Sequence, residues 1–276
     1  MDAHWTEADV VVNGVQLHYY RTGHGDKPPL LLVHGFSDTG LLWTPVAREL
    51  EADYDVIMPD MRGHGRSTRV QPDDDVDMAA DVAELIRTLG LARPIVGGHS
   101  MGAMVTYQLG LRFPALVSAL VLEDPAWRIS WPERAPGTEN PMLTWAKSLP
   151  GKTMDELLAE NRKNHPAWSA EMVHLMAESK TLLDLTIAEI MTSRMHSPEY
   201  NWLTTLQEIA LPTLLVTGDP DLGAIVTPEV VAKVRELNPN VQIVNVPHVG
   251  HLIRFDNYAA FMAALRPFLR QLAVSR

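Results

Sequence analysis

A serine enclosed by glycines, Gly98-His99-Ser100-Met101-Gly102, sets the tightest constraint on this chain. The apolar stretch Pro94-Ile95-Val96-Gly97 runs into it and reads as a buried strand. A helix-compatible stretch, Met101 to Arg112, runs out of it. The chain must therefore reverse sharply, leaving the serine strained and bringing strand and helix so close that a Cβ at position 98 or 102 would clash. The helix start leaves backbone N–H groups unpaired beside the serine oxygen, where developing negative charge is stabilised. A chance G-x-S-x-G in a glycine-containing loop lacks this context, so the sequence predicts a nucleophile elbow carrying Ser100.

The flanking sequence alternates strands and helices. Asn13-Gly14 between Val10-Val11-Val12 and Val15 to Tyr20 is a strong hairpin signal. The continuous run Leu30-Leu31-Leu32-Val33 suggests a strand covered on both faces. A helix is expected over 41–50, a strand over 54–58, a helix over 75–89 and, after the elbow, a buried strand over 116–122. Asp60-Met61-Arg62-Gly63-His64-Gly65-Arg66-Ser67 is glycine-rich but lacks the spacing and the Lys-Ser/Thr of a phosphate loop, so it reads as a packed structural loop. The pattern resumes with a strand at 212–216, a helix at 228–237 capped by Thr227, a strand at 241–246 and a final helix at 257–272, which Pro267 should kink. This alternation predicts an α/β fold with a mostly parallel sheet flanked by helices.

Between residues 126 and 208 the alternation stops. This stretch is helical in flavour, holds Trp127, Trp131, Trp145, Trp168 and Trp202, and contains no phenylalanine. Pro132, Pro136, Pro141 and Pro150 give its first part a loop-like character. It is expected to be an insertion covering one end of the sheet. Its tryptophans and methionines either form a small core of their own or line an apolar pocket.

With 276 residues and 46% hydrophobic content the chain can bury a large core. It has no cysteine, which removes disulfides, thiolate metal sites and a cysteine nucleophile. A formal net charge of −11 without any basic stretch argues against nucleic acid as a partner. The N-terminus lacks the basic and apolar regions of a signal peptide, and no apolar run approaches the ~18–20 residues that span a bilayer. A cytoplasmic location is expected; oligomeric state is left open.

Together, these segments resemble the α/β-hydrolase superfamily. His34-Gly35-Phe36 after a strand resembles its oxyanion loop, Asp60-x-Arg62-Gly63-x-Gly65-x-Ser67 the loop after its next strand, and residues 98–102 its elbow. Gly218-x-x-Asp221 resembles the acid loop and Gly250-His251 the histidine loop, in the family order Ser, Asp, His. The resemblance implies an eight-stranded sheet, a core formed by 1–125 and 209–276, and a helical cap over 126–208. It also implies a triad of Ser100, Asp221 and His251, with backbone N–H groups of Phe36 and Met101 as the oxyanion hole, and neither cofactor nor metal.

Two of these assignments have rivals in the sequence. The stretch 222–228 after Asp221 is longer than the family pattern, which opens Asp219 as the acid. Some members of the superfamily place the acid after the preceding strand, where this chain has Glu123-Asp124; a turn beside Pro125 is the structural alternative there. His248 competes with His251, but His248-x-x-His251 lacks the pattern of a zinc site. His165, His174 and His196 also lack ligand spacing and read as ordinary surface or core residues.

The expected activity is cleavage of small, largely apolar carboxylic esters or lactones through an acyl-serine. Hydrolysis of carbon–carbon bonds in diketone-like ring-cleavage products would use the same triad. A cofactor-free haloperoxidase or perhydrolase activity is a weaker rival. A receptor-like ligand-binding protein of this fold is the rival of a different kind.

Overall fold

The computed structural model describes all residues except 1, 3, 131–136, 195–200 and 275–276. Trp131, Pro132, Pro136 and His196 lie outside the described residues. The Asn13-Gly14 turn, with φ of 48° and 80°, joins β1 (Thr6–Val12) to β2 (Val15–Arg21) as an antiparallel hairpin. The strands β3 (Pro29–Val33), β4 (Asp55–Pro59), β5 (Ile95–His99), β6 (Ala119–Glu123), β7 (Thr213–Thr217) and β8 (Gln242–Asn245) complete the sheet. The order is β1-β2-β4-β3-β5-β6-β7-β8, antiparallel at β1/β2 and β2/β4 and parallel elsewhere. The expected mostly parallel eight-stranded sheet is present.

Side-chain alternation divides the core between the two faces. Leu31, Val33, Val96, Leu120, Leu122 and Leu215 pack on the face covered by α2 (Met78–Thr88), α3 (Met101–Arg112) and α9 (Pro228–Leu237). Leu30, Leu32, Ile95, Val121, Leu214 and Val216 pack on the face covered by α1 (Thr44–Leu50), the short α10 (Ile253–Asp256) and α11 (Tyr258–Val274). Helix α11 continues through Pro267. Some boundaries differ from expectation for local reasons. Helix α2 starts at Met78 because Asp77 caps it, accepting from Ala80 N–H. Strand β6 starts at Ala119 because Pro114–Leu116 forms a 3-10 turn.

The helices α4 (Pro141–Lys147), α5 (Met154–Asn164), α6 (Ala170–Thr181), α7 (Leu185–Arg194) and α8 (Trp202–Thr205) lie between β6 and β7. Trp127 and Trp202 stack with ring centroids 5.0 Å apart, and Trp127 meets Tyr107 of α3 edge-on. Both tryptophans are buried in the main core, so they fasten the two ends of this segment to the sheet rather than lining a pocket. Its middle rests on α1 and on the loop after β4. Arg48 binds Glu171, Arg69 donates to the Leu182 carbonyl (2.6 Å) and Asp184 N–H donates to the Gly63 carbonyl (2.9 Å). Among the described residues, no helix is long and apolar enough to cross a membrane.

The sheet reverses its order at β3, which has β4 on one side and β5 on the other. Ligands of open α/β sheets bind beyond the carboxyl ends of the strands at such a point. Here the crevice lies between the loop after β3 and the turn from β5 into α3. The two meet closely: a Cβ on Gly102 would overlap the Val33 and His34 carbonyls, and one on Gly98 would overlap the backbone of Gly102. Gly102→Ala should therefore cost about 1–3 kcal/mol in chemical denaturation. Asp77→Ala, which removes the α2 cap, should cost ~1 kcal/mol, measured the same way.

Candidate active site

Strand β5 delivers Ser100 at the N-cap of α3 with φ 53° and ψ −111°, a conformation rare for a side-chain-bearing residue. The Ser100 N–H donates to the Glu123 carbonyl at 2.9 Å, which ties the elbow to the end of β6. Met101 is the first helical residue, so its N–H has no acceptor within the helix. The Phe36 backbone lies in the adjoining loop. There Gly35 sits so close to His99 that a Cβ would lie 2.7 Å from the imidazole Nδ1. Six non-glycine residues have positive φ among the described residues, and Ser37, Ser100, Asp124 and His248 all fall in the loops around this crevice. Backbone strain concentrates where function is carried.

The structure places Asp124, rather than Asp221 or Asp219, against His251. Asp221 is exposed in a short 3-10 turn, Pro220–Leu222, and makes no hydrogen bond with His251 among the described residues. Asp219 is committed elsewhere, its Oδ2 accepting the His248 N–H at 2.6 Å. Asp124 faces His251 instead: its Oδ2 lies 2.6 Å from His251 Nδ1. The Asp124 carboxylate is wholly buried and also accepts the N–H groups of Ile225 (2.8 Å) and Val226 (3.0 Å). The 222–228 stretch thus folds back over the Asp124 carboxylate and supplies two of its hydrogen-bond donors. The signal for Asp124 in the sequence is an acidic pair at the end of a buried apolar run.

Glu123 was weighed as part of the same pair, but it has another role. It accepts the Arg254 N–H (2.9 Å) and pairs with the Arg254 guanidinium (2.7 Å), both side chains being buried. The guanidinium is stacked between Trp43 and Phe255, 3.9 and 4.1 Å from the ring centroids. His251 is held through this clamp three residues downstream. It is held also by His99, whose ring lies 4.7 Å away and whose Nε2 is 3.0 Å from the His251 carbonyl. Ser100 and His251 are thus both tied to the end of β6, through Glu123 and Asp124 respectively. Their direct hydrogen bond is not formed in this structure; such bonds commonly tighten only with substrate in place.

His34 organises the loop on the other side. Its Nε2 accepts the Met61 N–H (2.9 Å) and its Nδ1 faces the Gly35 carbonyl (2.7 Å), a pattern that suits the neutral ring. Burial pulls its pKa down. Burial also draws His64 down to about 3, so this neighbour is uncharged at neutral pH. The glycine-rich loop is a packed structural element as expected: buried Asp60 accepts the Gly40 and Arg66 N–H groups at 2.7 and 2.9 Å.

The other histidines stand apart. His248 is exposed, His174 is exposed, and His165 stacks on Trp168 at 3.8 Å. Between β6 and β7, Trp145 meets the loop after β3, its ring 6.2 Å from Phe36. Sequence reasoning missed Lys180 and Asp38. Lys180 Nζ reaches from α6 to Ser37 Oγ (2.8 Å) and lies 3.6 Å from Asp38, which lies 3.9 Å from His99 Nδ1. Burial pulls the Lys180 ammonium below its usual pKa. Burial alone would raise Asp38, but His99 and Lys180 hold it well below the carboxylate range.

Comparison with known proteins agrees with this architecture. The sequence model of the alpha/beta hydrolase fold family matches residues 28–258. The chain is 30% identical over 269 residues to N-formylmaleamate deformylase of Pseudomonas putida, covering 95% of each. It is 28% identical to Lipase 1 of Psychrobacter immobilis, covering 92% of this chain and 83% of the lipase. The crystal structure of the N-formylmaleamic acid deformylase from Pseudomonas putida S16 superimposes with a TM-score of 0.77 at 27% identity, over 94% of this chain and all of that one. A reversed strand order with a strained serine at its crevice, and a family match spanning most of the sequence, place this chain in the alpha/beta hydrolase family.

Proposed function

We propose that the protein is a serine hydrolase that cleaves carboxylic esters or lactones of small, largely apolar substrates, with Ser100, His251 and Asp124 as its triad. The observation that carries this reading is the 2.6 Å contact of buried Asp124 with His251 Nδ1, beside a serine held on a strained elbow. Residues 126–208 act as the cap over a core made of 1–125 and 209–276.

The reaction follows from the geometry. A serine hydroxyl is a weak nucleophile and needs a base. His251 Nε2 takes the hydroxyl proton as Ser100 Oγ attacks the substrate carbonyl. Asp124 fixes the tautomer with Nδ1–H toward itself and stabilises the imidazolium. The N–H groups of Phe36 and Met101 receive the oxyanion, a contribution worth on the order of 10²–10³ in rate per donor. Collapse of the intermediate expels the alcohol, which takes the proton from Nε2. Water then attacks the acyl carbon, gives its proton to Nε2, and the acid is released as Ser100 Oγ is reprotonated. In a lactone the alcohol remains attached to the acyl chain.

The similarity to the deformylase favours a second reading, in which the same residues cleave an N-acyl bond. In that case the leaving nitrogen takes the Nε2 proton. Turnover of p-nitrophenyl acetate, butyrate and octanoate alongside N-formylmaleamate separates the two. Multiple turnover of the esters that disappears in Ser100→Ala is the expected result. Turnover of N-formylmaleamate alone would replace the first reading with the second. Loss of neither activity in Ser100→Ala would overturn both.

The acid is tested by a pair of variants. Asp124→Asn should lower kcat by about 10³–10⁴ by imposing the wrong tautomer, whereas Asp221→Asn should leave kcat within about twofold of wild type, a surface substitution remote from the imidazole.

A further inference from the structure

The loop between β3 and α1 carries the Phe36 N–H, and its conformation is held from two sides. On the core side, Gly35 abuts His99, and the Asp38 N–H returns to the Gly35 carbonyl at 3.2 Å. Between them Ser37 adopts φ 63°, a left-handed conformation that serine seldom occupies without support. The support for its side chain comes from outside the core: Ser37 Oγ accepts from Lys180 Nζ at 2.8 Å.

Lys180 lies near the end of α6, with its side chain only 12% exposed. From its own helix it meets Met176 Sδ at 3.1 Å, from α4 the face of Trp145 at 5.5 Å, and from the loop Asp38 at 3.6 Å. A desolvated ammonium is costly where an apolar side chain could fill the same space. Its reach fits the loop: it engages both residues that follow Phe36. Trp145, which it overlies, touches the Phe36 ring. The far side of Asp38 faces His99, and His99 in turn holds the His251 carbonyl.

We propose that Lys180 is a positioning residue that couples cap docking to formation of the oxyanion hole, by holding the Ser37 turn so that the Phe36 N–H faces the carbonyl attacked by Ser100. The proposal rests on the reading of Ser100 as nucleophile and Phe36 as oxyanion donor. It separates binding from chemistry: ground-state substrate has little need of the hole, and the tetrahedral intermediate depends on it.

The test is steady-state kinetics of Lys180→Met, Lys180→Arg, Ser37→Ala and the Lys180→Met/Ser37→Ala double variant. The substrate is p-nitrophenyl butyrate, or N-formylmaleamate if that is what the wild type turns over. Rates are taken per active site titrated with a fluorophosphonate. Each variant is also inhibited with a trifluoromethyl ketone, whose serine adduct carries the oxyanion. Lys180→Met should lower kcat by about tenfold or more, a fraction of the 10²–10³ expected for full loss of a donor. KM should stay within about twofold, and the ketone should weaken by the same factor as kcat. Ser37→Ala should reproduce the loss without relying on a buried charge change, the double variant should add little to either, and Lys180→Arg should recover most of it.

Unchanged kcat per active site and unchanged ketone affinity, with only a lower melting temperature, would make Lys180 a structural strut and overturn the proposal. A rise in KM alone would make it a substrate-binding group and also overturn it. Should Lys180→Met fail to fold, Ser37→Ala alone decides between the same outcomes. Activity retained in Ser100→Ala would instead defeat the underlying reading, and is distinguishable because it does not depend on Lys180.

Discussion

Glu123 and Asp124 bring two distant parts of the chain, the elbow and the 251–254 loop, to the end of β6. The Glu123 carbonyl receives the Ser100 N–H, its carboxylate clamps the backbone and guanidinium of Arg254, and Asp124 takes the imidazole of His251. All three contacts begin at the last residue of β6 or the one after it, so the register of β6 between β5 and β7 fixes the site's geometry. The ion pair is wholly buried, where loss of one partner leaves an unpaired charge and costs about 3–5 kcal/mol. The pair is therefore better understood as an alignment device than as a source of net stability. Stacking of the guanidinium between Trp43 and Phe255 fixes its plane, and with it the direction in which His251 leaves the loop.

Much of this organisation was legible in the sequence because it is local. The apolar runs in the middle of the sheet, β3 to β7, became buried strands, and the elbow glycines stand where a Cβ has no room. The sheet's class followed from the alternation alone. The identity of His251's partner was not local. Gly218-x-x-Asp221 satisfies a short-range pattern, but that pattern forms an ordinary exposed turn here. The contact between residues 124 and 251 arises only after strands are paired. Lys180 was hidden for a related reason: nothing in the polar sequence of α6 marks one of its charged residues as buried against a distant loop.

The stretch between β6 and β7 reads as tryptophan-rich and helical in flavour, but its tryptophans do different work. Trp127 and Trp202 belong to the main core and pin the ends of the segment beside α3. Trp168 packs on Phe255 and donates to Asp256, close to the His251 loop. Trp145 is 40% exposed and leans on Phe36. The ends of the segment are thus fixed to the sheet by stacked tryptophans, while its middle meets the core through Ile187 against Gly63, through Met172 and Met176 on Leu42, and through a few polar contacts.

The two amides that steady Asp124 come from the main chain of Ile225 and Val226. A main-chain donor survives most substitutions at its own position. What the stretch must preserve is its path, set by Gly223 at φ 99° and by Gly250 packed under the Leu222 carbonyl. The half-buried side chain of Ile225 is consequently free to drift over evolutionary time, or under deliberate redesign, whereas Ala224 and Val226 are held by the core. Variation there can retune the rim of the crevice while its chemistry stays put.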